Sequence, residues 1–124
     1  METVFSRKLI ETIEQHGDVA LEILTEFIIG EQVNAEVASE ALRWIGQMNH
    51  PATYSKRKWL LERSLSCGSS YVRDGAILGL ASMDDPSSIQ YIERAIQREQ
   101  ITMLREDMEQ VVAQLRETQQ SYSS

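Results

Sequence analysis

Apolar residues recur every three or four positions along almost the whole chain, and nowhere does strict alternation mark a half-buried strand. Phe5, Leu9, Ile13 and His16 set the first series, which Gly17 stops and Asp18 restarts as an N-cap. Val19, Leu21, Ile23, Leu24, Phe27 and Ile28 then predict a second helix with a wide apolar face. The pattern breaks over 30–34 and resumes with Val37, Ala41, Leu42, Ile45 and Met48. This third helix closes at Asn49-His50-Pro51, because Pro51 has no N–H to donate and biases His50 away from helical angles. Trp59, Leu60, Leu61 and Leu65 line a fourth helix ending near Cys67-Gly68. A fifth is expected over 70–83, a sixth from Pro86, a residue suited to a first helical position, to about 99, and a seventh over about 101–117. The tail 119–124 has little apolar content and is expected to be flexible, leaving one domain over 1–118.

These helices repeat. Shifted by 35 residues, Val37, Ala41, Leu42, Ile45, Met48 and Pro51 fall on Val72, Ala76, Ile77, Leu80, Met83 and Pro86 in one ungapped register. Beyond Pro51 the register slips by four, and Leu61-Glu62-Arg63-Ser64-Leu65 matches Ile92-Glu93-Arg94-Ala95-Ile96 at an offset of 31. The extra residues are expected around 52–58, in the turn or the first helical turn. A third copy starts 32 residues beyond the second: Val72, Arg73, Asp74, Ala76, Leu80 and Met83 fall on Leu104, Arg105, Glu106, Met108, Val112 and Leu115.

The stretch YVRDGAILGLASMDDPSSIQYIERAIQRE, residues 71–99, resembles a HEAT repeat, in particular the short bacterial type named after phycobilisome lyases. Val72-Arg73, Ala76, Leu78-Gly79, Asp85-Pro86 and the spaced Ile89, Ile92 and Ile96 carry the likeness, which is closest here, less close over 35–66 and faint over 3–30. The resemblance implies an all-α, right-handed α-solenoid of the HEAT/ARM kind, about seven helices in three and a half antiparallel hairpins. It also implies that the second helix of each hairpin lines the concave side. It does not imply one function, since such repeats serve many partners.

At 124 residues, with 42% hydrophobic and 25% charged residues, the chain can bury a core without a metal or a disulfide, and its single cysteine, Cys67, has no partner for an internal bridge. With no long apolar run and a charged start, a cytoplasmic protein that neither spans nor binds a membrane is expected. The net charge of −7 disfavours nucleic acid as a partner. That charge is unevenly spread: residues 1–50 hold nine acids against three bases, residues 51–75 five bases against two acids, and residues 76–124 eight acids against four bases.

Chemistry-bearing residues are sparse. His16 and His50 sit at helix ends, where capping or solvent is the plainer role. Cys67 lacks a neighbouring base, and the Glu22/Glu26 and Glu36/Glu40 pairs read as solvated faces. No catalytic residue, cofactor or metal site is expected. The more informative residues lie on the fourth helix, where Tyr54, Lys56, Arg57, Trp59 and Arg63 combine basic and aromatic groups, and on the sixth, where Gln90, Tyr91, Arg94, Gln97 and Arg98 form a second polar row. The plainer reading makes Trp59 core and Lys56-Arg57-Lys58 a solvated first turn. Together these residues predict a non-catalytic protein–protein interaction module, an adaptor or regulator binding a segment of another protein on its concave surface. Two alternatives are an accessory factor related to bilin lyases or phycobilisome turnover proteins, implied by the resemblance, and an acidic inhibitor of a basic protein. A DNA glycosylase, also known among HEAT-like proteins, would need more than this short basic segment.

Overall fold

The computed structural model describes residues 4–123, which form seven α-helices: α1 Val4–His16, α2 Asp18–Ile29, α3 Ala35–Gln47, α4 Tyr54–Ser64, α5 Ser70–Met83, α6 Ile89–Arg98 and α7 Thr102–Ser123. Among the described residues there is no strand. Local chemistry sets the boundaries. Gly17 takes φ 58°, a conformation glycine enters at little cost, so the corner between α1 and α2 is made by glycine, and Asp18 is the first helical residue rather than the cap. Asn34 caps α3, its Oδ1 accepting from the N–H of Glu36 at 2.8 Å and of Val37 at 3.4 Å. Pro51 and Pro86 each open a short 3₁₀ turn, Pro51–Thr53 and Pro86–Ser88, so α6 begins three residues later than predicted.

The odd-numbered helices stack in succession, α1 on α3, α3 on α5 and α5 on α7, while α2 packs on α1 and α4, α4 on α5, and α6 on α7. This is a helical solenoid. Its repeat is written in the core. Ala41 and Ala76, Leu42 and Ile77, Ile45 and Leu80, and Leu61 and Ile92 are all buried, as are Leu104, Met108, Val112 and Leu115 of the third copy. The tightest seam lies between α3 and α5, where glycines rather than alanines set the approach. A Cβ on Gly46 would overlap the backbone of Gly79, and one on Gly75 would lie 2.6 Å from the Ser39 carbonyl oxygen.

The four extra residues of the first of these three copies form a whole turn near the start of α4. Leu61 is the eighth residue of that helix, whereas its counterpart Ile92 is the fourth of α6. Four residues are close to one helical turn, so the insertion keeps the apolar face in phase.

Several expected core positions lie outside it. Val37 and Phe5 are exposed, and α2 buries Leu21 and Ile28 but leaves Val19, Ile23 and Phe27 in solvent. For Phe5 and the α2 residues the physical reason is position in the stack: the first hairpin has a neighbouring hairpin on one side only. At the other end, α7 is helical to Ser123, well past the expected stop near 117. Its last turns are tied back: Thr118 Oγ1 donates to Asp84 Oδ1 at 2.8 Å, and Gln114 Nε2 donates to the Ala81 carbonyl and to Asp84 Oδ1, each at 2.9 Å. Asp84 itself takes φ 51° at the end of α5.

Candidate functional site

The two polar rows predicted on the fourth and sixth helices meet along one cleft of about 430 Å³ between α4 and α6. Trp59, Arg63, Tyr91, Arg94 and Arg98 line it, together with Glu62, Leu65 and Ser66. Trp59 is 46% exposed and so is not a core residue. The Arg63 guanidinium lies 5.2 Å from the Trp59 ring centroid, and that of Arg94 lies 5.7 Å from Tyr91. Arg98 Nη2 donates to Ser66 Oγ at 3.1 Å, tying α6 to the residues that follow α4. The one carboxylate in the lining is already answered: Glu62 Oε2 accepts from Lys58 Nζ at 2.7 Å and from Ser88 Oγ at 2.9 Å. Three guanidinium groups beside two aromatic rings therefore dominate the cleft.

The other predicted residues do different things. Gln90 and Gln97 are exposed on α6 and lie outside the lining. Lys56 pairs with Glu22 of α2 at 2.5 Å, so it serves the α2–α4 contact more than a basic row. The Tyr54 hydroxyl donates to Asp85 Oδ2 at 2.6 Å; burial, followed by that bond to a carboxylate, pushes the phenol up to about 12. Burial acts to raise Asp85, but the bonds from Tyr54 and Ser87 outweigh it and hold the carboxyl below its usual range. The Tyr54–Asp85 bond thus links the start of α4 to the turn before α6.

Arg57 corrects the prediction outright, since at 1% exposure it cannot be a surface contact. Its Nη1 donates to the carbonyls of Ile45 at 2.9 Å and Met48 at 3.1 Å, Nη2 to that of His50 at 2.9 Å, and Nε to Thr53 Oγ1 at 2.9 Å. It caps the C-terminus of α3 and pins the 48–53 loop, a role that suits a planar five-donor group. Burial lowers its pKa, which for a guanidinium leaves it charged. Arg73 and Arg105, paired by the 32-residue offset, do similar work between repeats. Arg73 Nη1 donates to the carbonyls of Cys67 at 3.0 Å and Gly68 at 2.9 Å, and Arg105 Nη1 to that of Glu99 at 3.0 Å.

A family model of HEAT repeats matches residues 18–113, most of the chain and all of α2 through α6. The chain belongs to the HEAT repeat family. The match is to HEAT repeats at large and does not single out the phycobilisome-lyase type. No curated protein and no solved structure matches the chain. Within this HEAT-repeat fold, no three His, Cys, Asp or Glu side chains among the described residues are grouped to hold a metal ion. No helix among them is long and apolar enough to cross a membrane. Burial, aided by the Glu31 carboxylate and opposed by Arg73, raises the Cys67 thiol above its ordinary pKa, the reverse of what a nucleophile needs. His50 Nδ1 lies 2.8 Å from Thr53 Oγ1, in the loop that Arg57 holds.

Ser66 carries little signal in the sequence. The signal available was its place in the Ser-Cys-Gly-Ser-Ser turn directly after α4, where a hydroxyl reaches a neighbouring helix.

Proposed function

We propose that this HEAT-repeat chain is a non-catalytic interaction module that holds an acidic segment of a partner protein in the α4–α6 cleft. The observation that carries this reading is the convergence of Arg63, Arg94 and Arg98 beside Trp59 and Tyr91 on a chain of net charge −7. Among the described residues, Arg63 and Arg94 have aromatic faces for neighbours and no ion-pair partner. A guanidinium lying over a ring keeps its in-plane N–H groups free, and those groups match a carboxylate in bidentate geometry. The rings supply the apolar contact area that anchors interfaces. The acidic remainder of the surface disfavours a polyanion such as nucleic acid and leaves a short, local attraction for a peptide with a few carboxylates.

The test is capture from the native host on immobilised wild-type chain and on the Arg63→Glu/Arg94→Glu variant. Partners lost from the variant should carry acidic segments. A synthetic peptide of such a segment should shift Trp59 emission in a Trp44→Phe background, where Trp59 is the single indole. Its affinity should fall roughly tenfold between low and physiological salt. If the variant retains the partners while Glu22→Lys/Glu26→Lys loses them, the cleft is not the site, and an inhibitor of a basic protein becomes the better reading.

A further inference from the structure

We propose that the outer face of α2 is a second docking surface whose occupant is a basic amphipathic helix of another protein. Two stripes run side by side along this helix at i, i+4, i+8 spacing. One is apolar, Val19, Ile23 and Phe27, exposed by 62%, 52% and 43%. The other is acidic, Asp18, Glu22 and Glu26, each one residue before its apolar neighbour and so about 100° round the helix. Scattered exposed apolar side chains need no explanation, but three on successive turns of one face make a contiguous patch. It is not surplus core, since α2 turns Leu21 and Ile28 inward for that purpose. Eight residues at about 1.5 Å rise give a stripe about 12 Å long, matched by the i, i+4, i+8 anchors of a partner helix.

Charge selects the occupant. Lys56 answers Glu22, but Asp18 and Glu26 have no ion-pair partner among the described residues. The acidic stripe also borders a mostly apolar groove of about 630 Å³ between α2 and α4, floored by Leu21 and Thr25 and closed by Trp59. A second copy docking through the same face would set Asp18, Glu22 and Glu26 against their own kind, in a half that carries nine acids against three bases. Lysines or arginines flanking an apolar seam satisfy both stripes at once. The surface meets the α4–α6 cleft at Trp59 and has the opposite charge preference, so one chain would bridge an acidic and a basic partner.

The test uses the full chain and a fluorescein-labelled, 18-residue Leu/Lys amphipathic peptide read by anisotropy. Ile23→Ser/Phe27→Ser and Asp18→Asn/Glu26→Asn should each weaken binding about tenfold or more, with helical circular dichroism retained. The same peptide with Glu for Lys should not bind, and Arg63→Glu/Arg94→Glu should bind the Leu/Lys peptide as wild type does. The proposal is overturned if the peptide fails to bind, or if it binds wild type and the Ile23→Ser/Phe27→Ser variant equally, as mere charge attraction would. It is also overturned if sedimentation shows wild type dimerising through a contact that Ile23→Ser removes, since the occupant would then be a second copy. None of these outcomes depends on the cleft, whose own test is the loss of acidic partners from the Arg63→Glu/Arg94→Glu variant.

Discussion

Replacing Arg57 by methionine separates a buried capping residue from a surface contact. Methionine fills much of the same volume and keeps the apolar stem, so the change isolates the guanidinium's bonds. The bond to the Ile45 carbonyl is buried, and losing it strands an acceptor in the core at about 1–3 kcal/mol. The bond to Thr53 Oγ1 is also buried, while those to Met48 and His50 are partly buried, where water can take over, and each contributes about 1 kcal/mol. Removing a desolvated charge returns about 1–2 kcal/mol. The net expectation is a loss of about 3 kcal/mol, or about 10–15 °C in thermal midpoint for a chain of this length. Arg57→Lys keeps the charge but cannot reach all four acceptors, and should fall about midway. Denaturant and thermal unfolding followed by circular dichroism measure both variants, with Lys56→Met as an exposed neighbour expected to unfold like wild type. A loss below about 1 kcal/mol for Arg57→Met would refute the capping role, since that is the range of ordinary surface substitutions.

At the α3–α5 seam, Gly79→Ala sets a methyl group about 2.6 Å from Leu61 Cδ2 and 2.7 Å from the Leu42 carbonyl oxygen, and should cost about 2–3 kcal/mol by urea unfolding. Ala76→Leu, at a fully buried position of the same helix, should cost about 1–3 kcal/mol, and an unchanged midpoint would put that position outside the seam. The buried Glu99 carboxylate is held below its ordinary 4.5 by its bonds from Arg73, with burial opposing. Its contribution is therefore complete above about pH 4.5 and lost as pH falls through the depressed value. Thermal midpoints between about pH 6 and 3 should fall more steeply for wild type than for Glu99→Gln, and equal slopes would show that the ion pair does not drive the acid response.

Most of the architecture was legible because core positions in a repeat protein answer to two periods at once, the helical turn and the repeat. Ala41/Ala76, Leu42/Ile77 and Ile45/Leu80 satisfy both and are buried; Val37 satisfies both and is exposed, whereas its counterpart Val72 is buried. Periodicity also cannot reveal a stacking partner on one side only, so the solvent-facing Val19, Ile23 and Phe27 of the first hairpin look like core in sequence. The cleft was half legible. Composition pointed to Trp59, Arg63, Tyr91, Arg94 and Arg98, and the 31-residue offset set the two rows side by side. Arg57 was misread because it stands between two lysines. The correcting signal was present: Arg57 lies three and four residues before Leu60 and Leu61 and four after Thr53, all buried, so it shares the inward face.

The division of labour between the two rows of helices follows from how each is joined. Along α3 and α5 the contact is backbone on backbone through Gly46, Gly75 and Gly79, and it admits no added atom. The α4–α6 side is bridged instead by side-chain polar ties: Tyr54 to Asp85, Lys58 through Glu62 to Ser88, and Arg98 to Ser66. Partly exposed bonds of this kind each contribute little, and water or a ligand can replace them at small cost. On the proposed function, a partner's carboxylate taking Arg98 from Ser66 would give up one modest hydrogen bond and leave the seam beneath untouched. Replacement of Trp59, Arg63, Tyr91 or Arg94 should cost the fold little for the same reason, because these residues are exposed and their loss opens no cavity in the core. A close-packed row of odd-numbered helices thus fixes the spacing of α4 and α6, while the surface they present stays free to be fitted to a partner.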